Sequence, residues 1–107
     1  MASDTFVIVL TTLPVEGDAE KLAAQLVEER LAACVNILPP MRSVYRWKNA
    51  IERADEHQLV IKTTRARITE LESRLRKLHP YDVPEFVVLP IDSGSADYLS
   101  WLSDSTR

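Results

Sequence analysis

The chain has 107 residues, of which 46% are hydrophobic and 27% charged, and its formal net charge at pH 7 is −3. This size and balance predict a single globular domain spanning residues 1–107. A net negative charge argues against nucleic-acid and membrane partners, because binding to phosphates requires a basic surface. The single cysteine, Cys34, excludes an internal disulfide, and residues 1–5 carry no basic signal region, so we expect a cytoplasmic protein.

An apolar run at residues 6–10 opens the chain and predicts a central strand that is buried on both faces. Leu13-Pro14 ends this strand. Apolar residues then recur at helical spacing from Asp18 to Leu31, which predicts an amphipathic helix. The side chain of Asp18 is expected to cap the free N–H groups of its first turn.

Two strand-like stretches follow at residues 33–47 and 51–64, and their length predicts a long β-hairpin that reaches beyond the domain's own core. From residue 41 to residue 47, apolar or aromatic side chains alternate with mostly basic ones, so one face should be aromatic and the other basic. Pro39-Pro40 predicts a bend, a bulge or an edge position. Asn49 is the residue best suited to a left-handed conformation at the tip.

The last third of the chain predicts a helix, a strand and a short C-terminal helix. The first helix is indicated by the 3-4-3 spacing of Ile68, Leu71, Leu75 and Leu78, and His79-Pro80 ends it. An apolar strand follows at residues 86–91. The final helix at 96–103 should be capped by Ser95 and should bury Tyr98, Leu99, Trp101 and Leu102.

This order of elements is βαββαβ followed by a helix. It predicts an α+β, ferredoxin-like sandwich in which two crossover units share one antiparallel sheet. Because this fold hosts many unrelated activities, it does not by itself indicate a function.

Five segments are more specific than the fold. They are ERLAACVNI at 29–37, SVYRWK at 43–48, IKTT at 61–64, HPYDVPE at 79–85 and DYLSWL at 97–102. In this order and spacing they closely resemble the CutA family of divalent-cation tolerance proteins, over residues 7–102. The resemblance implies a non-enzymatic homotrimer whose hairpins reach onto neighbouring subunits, as in PII signalling proteins. It also implies that the ligand is copper or another divalent metal ion and that there is no organic cofactor.

Three side chains are candidate metal ligands: Cys34, His79 and Glu85. A thiolate suits Cu(I), whereas imidazole and carboxylate together suit Cu(II) or Zn(II). Each also has a structural interpretation, since Cys34 can be a small buried hydrophobe, His79 a helix cap and Glu85 a local hydrogen-bond acceptor. No HxxxH, CxxC or HExxH spacing occurs in the chain.

Four further side chains are candidates for a ligand site between subunits: Tyr45, Trp47, Lys62 and Tyr81. Aromatic walls with a few polar groups are typical of ligand pockets, so a PII-like sensor of a small ligand is the alternative function. Against it stands the interpretation that Tyr45 and Trp47 only pack across the hairpin and against the next subunit.

An enzyme and an RNA-binding module are the remaining possibilities, and the sequence favours neither. An acylphosphatase-like hydrolase needs a loop that cradles phosphate, and the whole chain contains only two glycines. RNA recognition on a sheet of this kind uses stacked aromatic side chains, which are missing from residues 58–64.

Overall fold

The computed structural model describes residues 5–107, which form a five-stranded sheet and α-helices. The strands are β1 (Phe6–Pro14), β2 (Cys34–Ile37), β3 (Met41–Trp47), β4 (Ala50–Thr64) and β5 (Val87–Pro90). The helices are α1 (Ala19–Glu28), α2 (Ile68–Leu78) and α3 (Ala96–Ser105), and a 3-10 turn at Arg65–Arg67 precedes α2. The predicted α+β class is confirmed.

The strand pairs of the described sheet are all antiparallel, and the order is β5-β1-β4-β2, with β3 also paired to β4. The stretch predicted as one strand at residues 33–47 is divided at Pro39-Pro40, because proline has no N–H to give to the ladder. β4 has 15 residues, enough to pair with β2 over one half and with β3 over the other. The long hairpin is confirmed, and the chain measures 44 Å along its longest axis against 25 and 24 Å.

A two-residue turn closes the hairpin formed by β3 and β4. Lys48 and Asn49 both have positive φ, at 49° and 65°. Positive φ at both central residues is the requirement of a type I′ turn, whose twist matches that of the strands. The left-handed conformation predicted for Asn49 is therefore confirmed, and Lys48 shares it.

The core lies between one face of the sheet and helices α1 and α2. Central strands contribute Val7, Val9, Leu59 and Ile61, and the helices contribute Leu22, Leu26, Leu71 and Leu75. β1 is central, as predicted, but its buried and half-buried residues alternate over 6–10. The expectation that β1 is buried on both faces is thus wrong within one chain, because the helices cover only one face of the sheet.

Helix α1 ends earlier than the apolar spacing indicated. The side chain of Asp18 accepts a hydrogen bond from the Lys21 N–H at 3.0 Å, which confirms the predicted cap. At the other end, Arg30 has a φ of 61°, and the Leu31 N–H donates to the Leu26 carbonyl at 2.9 Å. This is a Schellman-type termination, so Leu31 is buried in the core without being helical.

Helix α3 begins where it was predicted, with the Ser95 hydroxyl accepting from the Tyr98 N–H at 3.3 Å. Leu102 is fully buried, whereas Tyr98 and Trp101 are 41% and 46% exposed. The predicted burial of both aromatic residues is therefore wrong within one chain, since a single helix on a sheet buries only one stripe. No helix among residues 5–107 combines the length and apolar character needed to cross a membrane.

Candidate functional site

The segment from residue 79 to residue 85, called the corner below, begins at the end of α2. His79 has the extended conformation that a following proline imposes, and its N–H donates to the Leu75 carbonyl at 2.8 Å. Its buried ring lies with Nε2 2.6 Å from the Thr12 carbonyl oxygen, while Nδ1 accepts from the Tyr81 N–H at 3.1 Å. Since a carbonyl only accepts, Nε2 carries the proton, and both ring nitrogens are engaged.

Tyr81 joins the corner to β4. Its hydroxyl donates to Oε2 of Glu56 at 2.7 Å, and Glu56 is only 5% exposed. Burial of the phenol and then the hydrogen bond to the Glu56 carboxylate raise the pKa of Tyr81 well above its ordinary range. The phenol therefore stays protonated at neutral pH and acts as a hydrogen-bond donor, not as a base.

Glu85 closes the corner against the same strands. The Gln58 amide on β4 donates to Oε2 of Glu85 at 3.2 Å and to the Thr11 carbonyl on β1 at 2.7 Å. Because His79 holds β1 and Tyr81 holds β4, the corner is attached to the sheet at both of its ends and in its middle. A segment with two prolines held at three points is a rigid wall.

A cavity of about 690 Å³, called the corner cavity, lies between this wall and the aromatic face of the hairpin. β3 supplies the alternating residues Met41, Ser43, Tyr45 and Trp47, which confirms the predicted face. The other lining residues are Thr12, Glu56, Gln58 and the corner from Pro80 to Glu85. Its walls are thus aromatic and apolar, with hydroxyl, amide and carboxylate groups among them.

Three of the four predicted ligand-binding residues, Tyr45, Trp47 and Tyr81, meet at this cavity. Lys62 does not line it. Its Nζ lies 5.9 Å from the centroid of the Tyr98 ring, under helix α3. Within one chain Lys62 therefore lies away from the other three, because the register of β4 carries it to the other end of the sheet, and its place in a cleft between subunits stays a prediction.

The three candidate metal ligands are divided between the two ends of the sheet. Cys34 is a half-buried free thiol whose strand partner is Lys62. Gln58, which binds Glu85, lies four residues before Lys62 on β4, and four residues of a strand span about 13 Å. Among residues 5–107 no three His, Cys, Asp or Glu side chains are placed to hold one metal ion.

Sequence reasoning missed the two residues of β4 on which the corner closes, Glu56 and Gln58. They lie two residues apart and so share a face, and Glu56 is the strand partner of Met41. The alternation of side chains along β4 could have indicated them, because it places Glu56 and Gln58 together on the aromatic face of the hairpin. It could not be used without knowing the strand register.

Comparisons with known proteins agree with this architecture. The model of the family described as CutA1 divalent ion tolerance protein matches residues 7–105. A divalent-cation tolerance protein CutA from Thermus thermophilus is 48% identical over 99 residues, covering 92% of this chain and 96% of the relative.

Two solved structures extend the comparison to three dimensions. A PII-like protein CutA from Nostoc sp. PCC 7120 superposes with a TM-score of 0.87 at 38% identity, covering 94% of this chain and 97% of that one. A periplasmic divalent cation tolerance protein CutA from Archaeoglobus fulgidus gives a TM-score of 0.90 at 31% identity, covering 95% and 99%. At these identities and coverages the likeness extends over nearly the whole length of each protein.

Proposed function

The chain belongs to the CutA1 divalent ion tolerance protein family, and we propose that it serves cation tolerance as a non-enzymatic homotrimer whose corner cavity binds a small ligand. The observation that carries the proposal is the convergence of Tyr45, Trp47 and Tyr81 on one cavity of about 690 Å³. A concave site of that size, apolar with a few polar groups, is typical of sites for small molecules. The PII-like name of the Nostoc protein supports the same interpretation.

The chemistry of the described cavity supports binding over catalysis. A nucleophilic serine requires a base within hydrogen-bond reach, and the ring of His79 is occupied on both nitrogens by backbone groups. The raised pKa of Tyr81 keeps its phenol protonated at neutral pH, so it does not serve as a base. Ser43 thus lines the cavity, and neither His79 nor Tyr81 is available to activate it.

Apolar residues on the outer face of the hairpin support the homotrimer. Val44 and Ile51 are 60% and 51% exposed in the single chain, on strands that extend beyond the core. Association covers such surface and also protects open strand edges. Native mass spectrometry should give three times the mass of the chain, and Val44→Lys combined with Ile51→Lys should shift the protein toward monomer. A monomeric wild type would refute this part of the proposal.

The ligand site is tested by thermal-shift screening of the purified oligomer against a library of charged and neutral metabolites. We expect at least one compound to raise the melting temperature of the wild type. Trp47→Leu should abolish that shift, whereas Trp101→Leu, which replaces an exposed tryptophan outside the cavity, should retain it. Flat responses across the library, or equal loss in both variants, would contradict a ligand site in the cavity.

Direct binding of copper or another divalent metal is the second candidate function, and the free thiol of Cys34 favours it. Because residues 5–107 of one chain do not bring three ligands together, we propose that a metal site uses side chains from more than one subunit, with Cys34, His79 and Glu85 as candidates. Cu(I) competition titrations on the intact oligomer test this. Cys34→Ser should weaken binding at least tenfold, and an unchanged affinity would remove Cys34 from the site.

A cytoplasmic location belongs to the same proposal, since a lone reduced thiol suits a reducing compartment. The word periplasmic in the name of the Archaeoglobus fulgidus protein describes that relative. Cell fractionation followed by immunoblotting distinguishes the two compartments, and recovery in an extracytoplasmic fraction would contradict our assignment.

A further inference from the structure

We propose that the corner cavity takes an organic ammonium cation in preference to a nucleotide or another anion. This inference rests on the proposed function of the cavity as a ligand site, and it names the chemical class of the ligand. Three features of the cavity carry it: the sign of the charges that line it, the aromatic surfaces it presents, and its size.

The charged side chains that line the cavity are all acidic. They are Glu56, Asp82 and Glu85, and no lysine or arginine of the described chain is among the lining residues. The strand alternation explains this, since Arg42 lies on the opposite face of β3 and binds Asp55 there at 2.8 Å. A concave surface lined by one sign of charge concentrates ligands of the opposite sign.

The carboxylates of the cavity retain capacity to accept hydrogen bonds. Oε2 of Glu56 accepts from the Tyr81 hydroxyl, and Oε2 of Glu85 accepts from the Gln58 amide. A carboxylate offers about four acceptor positions, so neither is saturated by its one bond, and half-buried Glu85 is more accessible to a ligand N–H donor than Glu56, which is 5% exposed. The corner thus orients these carboxylates and leaves acceptor positions on them, and a nucleotide phosphate would meet their like charge with no lysine or arginine among the described lining residues.

The aromatic walls favour the same class of ligand. The rings of Tyr45 and Trp47 are 43% and 40% exposed, and Tyr81 lies across the cavity from them. Ammonium groups are attracted to the face of such rings, most strongly to tryptophan. Nζ of Lys48 already lies 5.8 Å from the centroid of the Trp47 ring, so a ligand cation competes with this exposed, flexible side chain for Trp47.

The size of the cavity separates an organic cation from a bare metal ion. A volume of about 690 Å³ is within the range of sites for whole small molecules. A metal ion instead requires several ligands at bonding distance, and the described residues contain no group of three such side chains. Apolar walls such as Met41 and Val83 suit the carbon skeleton of a metabolite.

The experiment compares cations with neutral molecules of the same shape, by calorimetric titration of the intact oligomer. The probes are choline and phenethylamine, their uncharged analogues 3,3-dimethylbutan-1-ol and propylbenzene, and adenosine monophosphate as the anion. We expect each cation to bind at least tenfold more tightly than its neutral analogue. Trp47→Leu should weaken cation binding about 3- to 30-fold through loss of the cation–π contact.

A matched pair of charge variants isolates the electrostatic part. Asp82→Asn removes a lining carboxylate and should weaken cation binding about 2- to 5-fold while leaving the neutral analogues unchanged. Asp92→Asn removes an exposed carboxylate outside the cavity and should change neither the binding of the cations nor that of the neutral analogues. Equal effects of the two variants would overturn the role of the cavity charges.

The outcomes also separate this inference from the proposed function. If adenosine monophosphate binds in a Trp47-dependent way and the cations do not, the cavity is a ligand site but its cationic preference is refuted. Cations that bind no better than their neutral analogues refute the preference as well. If no probe binds, the inference fails, and the metabolite screen then decides whether the ligand site fails with it.

Discussion

Replacing Tyr81 by phenylalanine is the most informative single change in the corner. The substitution keeps the ring against His79, whose centroid lies 4.8 Å away, and removes only the hydroxyl that donates to Glu56. The Glu56 carboxylate, 5% exposed, then loses a charge-assisted hydrogen bond. Such bonds contribute about 1.5–3 kcal/mol, and because water can enter from the open cavity we expect a loss of about 1.5 kcal/mol at pH 7.

The same substitution has a pH dependence with a defined sign. Burial and then the bond to Glu56 raise the pKa of Tyr81 in the folded protein, so the unfolded chain ionises first, near its ordinary pKa of about 10. Above that pH the folded state holds one more proton than the unfolded state. The stabilisation by Tyr81 is therefore complete below about pH 10 and falls above it, by at most about 1.4 kcal/mol per pH unit. Solvent screening at the cavity makes the pKa shift smaller, so it narrows the pH range over which the stability falls and leaves this limiting slope unchanged.

Urea denaturation of the wild type and of Tyr81→Phe between pH 7 and pH 11 measures this effect. Protein concentration is held constant, because an oligomer's stability depends on it. The free-energy difference between the two proteins should be constant up to about pH 9 and should shrink above pH 10. In a Glu56→Gln background the decrease of this free-energy difference should be smaller, since burial then raises the pKa of Tyr81 without the carboxylate of Glu56. A difference that stays constant to pH 11 would refute the argument.

Further predictions concern the fold and use the free energy of unfolding in urea at pH 7. Asp18→Ala should lower the free energy of unfolding by about 1 kcal/mol because the α1 cap is lost. Asp18→Asn should retain most of the stabilisation by the cap. Leu71→Ala should cost about 2–5 kcal/mol because Leu71 is fully buried, whereas Val27→Ala at an exposed position should stay within about 0.5 kcal/mol. Arg30→Gly should raise stability by about 0.5–1 kcal/mol, since φ at this position is 61° and the bond that Arg30 donates to the Asp104 carbonyl is long and exposed, at 3.4 Å; a loss of stability would contradict this.

The elements that could be predicted from the sequence are those whose signals are local. Helix α2 follows from the spacing of its leucines, and its end follows from the proline after His79. The end of α1 could not be predicted in this way. Its termination depends on Arg30 taking a left-handed conformation, a position usually marked by glycine, while Leu31 continues the apolar spacing beyond the helix.

The site was predicted in part for the same reason. Alternation along β3 places Tyr45 and Trp47 on one face, whatever the register of the neighbouring strand. The position of Lys62 depends on which half of β4 pairs with β2, and nothing in the local sequence of a strand of 15 residues indicates that. Glu56 was missed because its hydrogen-bond partner, Tyr81, lies 25 residues further along the chain.

The contacts of the corner also determine how a metal ion could engage this protein. Coordination by His79 must first displace the bond from its ring to Thr12 or the one it accepts from the Tyr81 N–H. One such bond contributes about 0.5–1.5 kcal/mol, so histidine ligation carries a penalty of about 2- to 13-fold in affinity and loosens the wall of the cavity. Cys34 is a free thiol with partial exposure and bears no such penalty. A metal bound through Cys34 should therefore leave the Tyr81–Glu56 bond and the pH dependence argued above unchanged, whereas one bound through His79 should weaken both.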